Sequence, residues 1–333
     1  MTKMGGKPMR ALQVTDLLPD FAGCQVTETA MPEIGSNDVL VKIRAAALGF
    51  PDLLMTHGGY QHKPDLPFVP GAEFAGEVVA CGDAVAGFAV GDRVVTGRLG
   101  GFAEYAACPA DMVRSVPENM SYAEAAATGA AYLTAYVSLV RRGHLQAGEW
   151  LLVHGAAGGV GLAAVDLARH LGAKIIVTAS SAEKLAVIQE KYAPEAALNV
   201  NDGFRQQVKE ITGGGADVIY DPVGGDVFDE SVRCIAWGGR LLVVGFASGR
   251  IPAITANMPL IKGFSVVGVR AGEFGRKDPQ KGRENTEAIW RLAAEGAIRP
   301  HVHDIVPLAA WRDAFDAMRA RQIVGRIVID PSL

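Results

Sequence analysis

Cysteine is scarce in this chain. There are four in 333 residues, Cys24, Cys81, Cys108 and Cys234, and no two form a Cys-x-x-Cys pair. That spacing excludes a zinc ribbon and a dithiol redox pair, and it predicts four buried or half-buried thiols in a protein of the reducing cytoplasm. Long apolar runs are missing too: none reaches the about 18 residues of a membrane-spanning helix. Positive charge is not in excess. Lys and Arg number 32 against 36 Asp and Glu, a net charge of −4, so the basic footprint of a nucleic-acid or anionic-membrane binder is lacking. The start, "MTKMGGKPMRALQV", has no apolar core of the kind that marks a secretory signal. Its first eight residues are expected to be a loose tail. No internal repeat or low-complexity tract occurs.

What is present is a globular composition. Apolar residues make up 49% and charged residues 20%, enough to bury a large core, and the length suggests two domains. From about Ala11 to Ala107 the pattern is short and β-rich. "DVLVKIRAAAL", "FAGEVVACG" and "VAGFAVGDRVVT" carry β-branched runs between turn residues, which predicts a partly open β-barrel. The rhythm changes after "PENMSYAEAAATGAAYLTAYVSLV", a helical stretch with Ser121 and Glu124 spaced as a capping box. Strand-like runs then alternate with helices predicted at 159–171, 182–192, 203–212 and 226–237. Such alternation marks an α/β, doubly wound parallel sheet. "FSVVGVR" (264–270) supplies a sixth strand, two amphipathic helices follow near 285–295 and 308–320, and "GRIVID" is expected to rejoin the β-rich domain.

The stretch "LVHGAAGGVGLAAVDLA" (152–168) lies between a strand and a helix. That is the context in which a glycine loop cradles a pyrophosphate. Its pattern is A-x-G-x-x-G. Ala156 stands where the tight-turn glycine is usual, with Ala157, Gly159 and Val160 in the loop. Gly158 lets backbone approach phosphate at the positive helix end, and Gly161 lets helix pack closely on strand. An NAD site asks for an acid at the end of the next strand, about 20 residues on. Here "VTASSAEK" offers Thr178, Ala179, Ser180 and Ser181, then Lys184. Hydroxyls with a cation, and no carboxylate at the strand end, suit a 2′-phosphate and predict NADPH.

These segments, with "ALGFPDLLMTHGGYQHKPDLPFVPGAEFAGEV", "VGDRVV" and "GGDVFDESVRCIAWGGRLLVVGF", resemble the zinc-independent quinone oxidoreductase branch of the medium-chain dehydrogenase/reductase superfamily. The resemblance is greatest to the quinone oxidoreductase-like protein 2 subgroup. It runs from about Met9 to Asp330. It implies a Rossmann domain binding NADPH (127–269), a discontinuous, mainly β, GroES-like catalytic domain (1–126 and 270–333), and a homodimer, or a tetramer built from it. The zinc ligands of the superfamily's alcohol dehydrogenases correspond to Gly49, Ala72 and Ala130, which cannot bind metal, and the structural-zinc cysteine lobe is absent, so no metal is expected. His301 and His303 in "PHVHD" read as surface residues. The resemblance also assigns Gly49, Phe50, Asp52 and Thr134 to the substrate pocket and Tyr60 to the reacting centre. It assigns Gly224, Gly245, Phe246 and Arg321 to the cofactor. Two departures stand out: Gly49 replaces the usual Asn, and Val200 replaces a phosphate-binding Tyr. Asp52 also reads as a turn partner, Thr134 as a plain helical residue, Arg321 as a helix-end arginine and Tyr60 as a packing aromatic.

With no Lewis acid and no Ser/Tyr/Lys base, alcohol oxidation is disfavoured. Hydride delivery to a quinone or other conjugated carbonyl is the expected reaction, and Tyr60 the expected hydrogen-bond donor to its oxygen. Enoyl-thioester or enone reduction is the alternative activity. An NADPH sensor, or a crystallin-like RNA-binding protein, is the alternative without turnover.

Overall fold

A computed structural model describes residues 8–333. Seven residues of the expected N-terminal tail lie outside this range. The eighth, Pro8, already opens the first strand. The described residues divide into two compact units, 8–129 with 301–333, and 130–300. Residues 270–300, expected with the β-rich part, therefore pack in the second unit.

The first unit begins with an antiparallel pair, β1 (Pro8–Val14) and β2 (Cys24–Ala30). β3 (Asp38–Ala47) follows, then the short helix α1 (Phe50–Met55), β4 (Phe74–Cys81), β5 (Arg93–Thr96), β6 (Tyr105–Pro109) and β7 (Val113–Ser115). α2 (Tyr122–Tyr136) starts on the anticipated capping box: the Ser121 amide donates to Glu124 Oε2 at 2.8 Å, and the Glu124 amide donates to Ser121 Oγ at 3.2 Å. The helix crosses the unit boundary and ends in a π-helical stretch, Val137–Arg142.

The second unit holds β8 (Trp150–Val153), α3 (Gly159–His170), β9 (Lys174–Ala179), α4 (Ala182–Tyr192), β10 (Ala196–Asn199), α5 (Arg205–Thr212), β11 (Ala216–Asp221), α6 (Gly225–Ser231) and β12 (Ile235–Val243). It closes with α7 (Asn257–Lys262), β13 (Ser265–Gly268), α8 (Ala271–Lys277) and α9 (Pro279–Ala294). β14 (Val302–Pro307), α10 (Trp311–Arg319) and β15 (Arg326–Asp330) return to the first unit.

The second unit's sheet is parallel, in the order β10-β9-β8-β11-β12-β13. Strand order reverses beside β8, the crevice where doubly wound sheets bind ligands. Its central strands β8, β9 and β11 are almost wholly buried, as strands covered on both faces must be. The first unit's main sheet runs β14-β15-β3-β4-β5-β7, with β6 also on β3. β15 pairs with β3 through Val328 and Ile329, so the C-terminal strand does rejoin the β-rich part. Phe21, Phe102, Trp311 and Phe315 meet edge-to-face in its core.

Two expected helices differ. The helix placed at 226–237 ends at Ser231, and Ile235 already pairs with Ala216 of β11. Cross-strand pairing overrides an apolar run that periodicity alone reads as helical. α9 starts earlier than 285, at Pro279, because Asp278 caps it by accepting from the Lys281 amide at 3.0 Å. Of the cysteines, three are buried and Cys81 is half-buried, all as free thiols.

Candidate active site

The glycine turn sits at the C-terminal end of β8. Gly155, not Ala156, makes the sharp turn: its φ is +56°, a conformation open to glycine at little cost. Ala156 is fully buried and its amide donates to the Thr178 carbonyl at 3.1 Å, which ties the turn to β9. Ala157 is buried behind it. Gly158 caps α3 with extended backbone, no side chain bonds the cap, and the first turn carries no acid. The amides of Gly159, Val160 and Gly161 therefore start a 12-residue helix whose positive end carries no side-chain cap. Gly161 is needed for close packing, since a Cβ there would lie 2.4 Å from the Gly155 carbonyl oxygen.

His154, next to the turn, has no exposed surface. Its Nδ1 meets Thr178 Oγ1 and its Nε2 meets Ser231 Oγ, both at 2.8 Å. Burial drops its pKa to about 3, so the ring is neutral and clamps the ends of β8 and β9 to α6. That explains a histidine upstream of the loop: it braces the turn and has no reach to a ligand.

At the end of β9, Ser180 is exposed and Ser181 caps α4. Ser181 Oγ accepts from the Lys184 amide at 3.4 Å and donates to Glu183 Oε2 at 2.6 Å. The two serines and Lys184 thus share one turn. Asn201, which follows Val200, joins them by donating from Nδ2 to the Ser180 carbonyl at 3.2 Å. Its place beside Val200 was the available signal for it.

At the ends of β11 and β12 the structure gathers Gly224, Gly245 and Phe246. A Cβ on Gly224, whose φ is +69°, would lie 3.0 Å from the Phe246 ring. Asp221, not singled out from sequence, is buried and accepts from the amides of Val223 (2.8 Å) and Gly224 (2.9 Å). Desolvation raises its pKa. Thr134 lies on α2 and its hydroxyl donates to the Ala130 carbonyl at 2.8 Å.

In the first unit, Gly49 precedes α1 and Phe50, its first residue, is exposed. Asp52 is 2% exposed and accepts from the amides of Gly49 (2.8 Å) and Gly71 (3.0 Å). Desolvation lifts its pKa to about 6 against the pull of those two amides and of Arg326. Its carboxyl holds a turn and does not face solvent. Beneath it lies a pair that sequence reading missed: Arg326 of β15 bonds Glu73 Oε2 at 2.8 Å and the Leu48 carbonyl at 3.1 Å, with both side chains under 10% exposed. A Cβ on Gly49 would sit 3.3 Å from Asp52 Oδ2 and 3.8 Å from the Arg326 guanidinium. The position corresponding to a zinc ligand thus faces a guanidinium and offers no donor side chain, so these residues do not fit a zinc ion. Among the described residues no cluster of three or more His, Cys, Asp and Glu has metal-binding geometry.

Tyr60 is half-buried with its ring against the first unit's core, and among the described residues its hydroxyl has no hydrogen-bond partner. Arg321 follows α10 in the left-handed region (φ +55°), and its amide closes the helix on the Met318 carbonyl at 3.0 Å.

A glycine turn opening a helix at the switch point of a 3-2-1-4-5-6 sheet, joined to a GroES-like β unit, defines a dinucleotide-dependent dehydrogenase or reductase. The family described as zinc-binding dehydrogenase matches residues 159–292, and the one described as alcohol dehydrogenase GroES-like domain matches residues 35–118. The chain is 40% identical over 301 residues to a quinone oxidoreductase-like protein 2 homolog of Nematostella vectensis, covering 89% of this chain and 82% of that one. It is 35% identical to human quinone oxidoreductase over 94% of each chain. Among solved structures, a probable oxidoreductase from Mycobacterium abscessus superposes with a TM-score of 0.88 at 36% identity, over 98% of this chain and 99% of that one. A mycobacterial protein solved with NADPH superposes with a TM-score of 0.85 at 30% identity, over 97% of this chain and 100% of that one. The chain belongs to the quinone oxidoreductase-like branch of the medium-chain dehydrogenase/reductase superfamily and is an NAD(P)-dependent oxidoreductase.

Proposed function

We propose that this protein is a zinc-independent reductase that uses NADPH to reduce a quinone or another conjugated carbonyl compound. The carrying observation is the pair of sites at the ends of β8 and β9. The N-terminus of α3 is capped by no side chain, and the following strand ends in Ser180 and Ser181 with Lys184 one turn on; the carboxylate in that turn, Glu183, is tied to Ser181 Oγ at 2.6 Å. The first site suits a pyrophosphate and the second a 2′-phosphate. NADPH, when bound, supplies a hydride. Gly224, Gly245 and Phe246 border it at the ends of β11 and β12. At the acceptor, the electron pair displaced by hydride moves onto the carbonyl oxygen. The Tyr60 hydroxyl donates a hydrogen bond to that oxygen and, with water behind it, delivers the proton. Gly49 and Phe50 shape the wall around a flat acceptor, and Asp52 holds the turn that carries them.

The protein works as a homodimer. β13 is the edge strand of its sheet, and Trp237 and Leu260 beside it are each 80% exposed, with Ile261 and Val266 also open. An apolar edge of this kind is closed by a second copy. Light scattering at micromolar concentration should give twice the chain mass or a multiple of it; a monomer would refute the assignment.

The test is an NADPH-oxidation screen over ortho-quinones, enones, enals and acryloyl thioesters, run in chelator. Turnover of conjugated acceptors with full activity in chelator supports the reading. Rapid oxidation of a simple alcohol, or stoichiometric zinc lost together with activity, would overturn it.

A further inference from the structure

The backbone ladder of the parallel sheet stops just short of the glycine turn. β8 pairs with β9 as far as Val153 and Val177, and with β11 as far as Val153 and Tyr220. His154 is the next residue, and its side chain takes over where the ladder ends. Its amide donates to the Tyr220 carbonyl at 3.0 Å. Its ring reaches Thr178 Oγ1 of β9 and Ser231 Oγ of α6, both at 2.8 Å, and tilts against Phe204 with 4.8 Å between ring centres. One buried residue thus joins the ends of β8, β9, β11 and α6.

The hydrogen bonds fix which ring nitrogen carries the proton. Ser231 Oγ donates its own proton to the Val227 carbonyl at 2.6 Å, so it accepts from the ring. Nε2 is therefore the donor. Nδ1, bare in the neutral ring, accepts from the Thr178 hydroxyl. Thr178 is also fully buried, and its carbonyl accepts from the Ala156 amide at 3.1 Å. It is held to the glycine turn through backbone and to His154 through side chain. Ser180 and Ser181 follow two and three residues on. Towards β10, this strand end is paired through Ala179 and Asn199, and Asn201 donates to the Ser180 carbonyl at 3.2 Å. Towards β8, beyond Val177, Thr178 makes the contact. The separation of the serine turn from the glycine turn is set there.

We propose that His154 is a positioning residue for cofactor choice: acting through Thr178, it fixes the serine turn at the end of β9 relative to the glycine turn at the end of β8. The assignment rests on the reading of these turns as the 2′-phosphate and pyrophosphate sites. NADPH must satisfy both turns at once, and a preorganised pair of sites avoids the cost of ordering one of them on binding. NADH has no 2′-phosphate and does not register the position of the serine turn.

Three variants of the full-length protein test this. His154→Phe keeps a flat ring and removes both hydrogen bonds. His154→Gln keeps one donor and one acceptor. Thr178→Val removes only the hydroxyl. Dinucleotide affinity is read by fluorescence titration, and the position of the serine turn by amide hydrogen exchange in the protein without dinucleotide. His154→Phe and Thr178→Val should each weaken NADPH about tenfold, the scale of a buried hydrogen bond left unmade. NADH should change by less than about twofold, and exchange in residues 178–184 should rise. The two changes combined should cost no more than either alone, because both remove one contact. His154→Gln should recover most of the NADPH affinity. Nitrogen NMR of the parent should show His154 neutral with its proton on Nε2. Equal weakening of both dinucleotides, unchanged exchange in residues 178–184, or a proton on Nδ1 would overturn the assignment. If His154→Phe does not fold, Thr178→Val and the parent spectra decide. A parent that binds NADPH no better than NADH would sink the cofactor reading, and exchange in residues 178–184 would still decide whether His154 holds that turn.

Discussion

Among the helices that begin after a glycine, α1 and α3 have N-termini that are treated in opposite ways. α1, in the β-rich unit, follows Gly49 and supplies its own anion. Asp52 accepts from the Gly49 amide at 2.8 Å and reaches across to Gly71. α3, in the parallel-sheet unit, follows Gly158 and supplies none. Each starts with unpaired amides and a positive helix end. One unit satisfies them with its own carboxylate and gains a rigid turn; the other leaves them without a side-chain cap. A glycine before a helix is therefore not by itself a phosphate site. The nearby carboxylate decides.

The sharpest way to break that contrast is to give α3 a carboxylate. Gly158→Asp has room, since a Cβ there meets only the Gly155 carbonyl oxygen at 3.4 Å, and Asp is a favoured N-cap. The variant should melt at or above the parent temperature and lose about a thousandfold or more in NADPH affinity by fluorescence titration, through like-charge repulsion and lost phosphate bonds. Retained NADPH binding would show that the pyrophosphate is held elsewhere.

Next in size is Tyr60→Phe, which removes the unpartnered hydroxyl and keeps the packed ring. With the substrates found in the screen, kcat should fall by about ten- to a thousandfold, the effect of one lost transition-state donor, and NADPH affinity should not move. An unchanged kcat on every substrate would make Tyr60 a packing residue and water the proton source.

The α1 side of the contrast is tested by pH. The pKa of Asp52 is raised to about 6 from an ordinary 3.8. A raised carboxyl favours folding in its protonated form, fully below pH about 4, and loses that contribution as pH rises through about 6. In urea melts, the parent should weaken relative to Asp52→Asn by roughly 2–3 kcal/mol between pH 4 and 7. A flat difference would mean that Arg326 fully compensates the buried charge.

Lys184→Ala sharpens the other side. It should cost about ten- to a hundredfold in apparent KM for NADPH, one charge-assisted contact, and leave NADH nearly unchanged. Equal loss with both cofactors would mean that Lys184 serves only the first turn of α4.

The strand–helix alternation from Trp150 to Gly268 was legible because β-branched apolar strands and amphipathic helices differ in period, and each closes on its own local turn signals. The glycine loop was legible for the same reason: turn, phosphate approach and helix start are adjacent in sequence. The stretch from Cys234 to Trp237 was not. Its helix-or-strand choice is made by pairing with Ala216, a contact outside any local window. The network of Asp52, Glu73 and Arg326 was also hidden, since its members are up to 274 positions apart and the value of a buried charge depends on what encloses it.

By itself, then, the sequence determined the class of fold, the glycine turn that opens α3 and the absence of side-chain donors at Gly49, Ala72 and Ala130. These follow from local residue chemistry and short-range spacing. Tertiary structure alone decided that Gly155, at φ +56°, makes the turn next to Ala156. It also decided that Asp52 faces inward, and that His154 is a neutral brace bonded to Ser231, 77 positions on. Burial and convergence are properties of chain segments meeting in space, and no window of the sequence contains both segments.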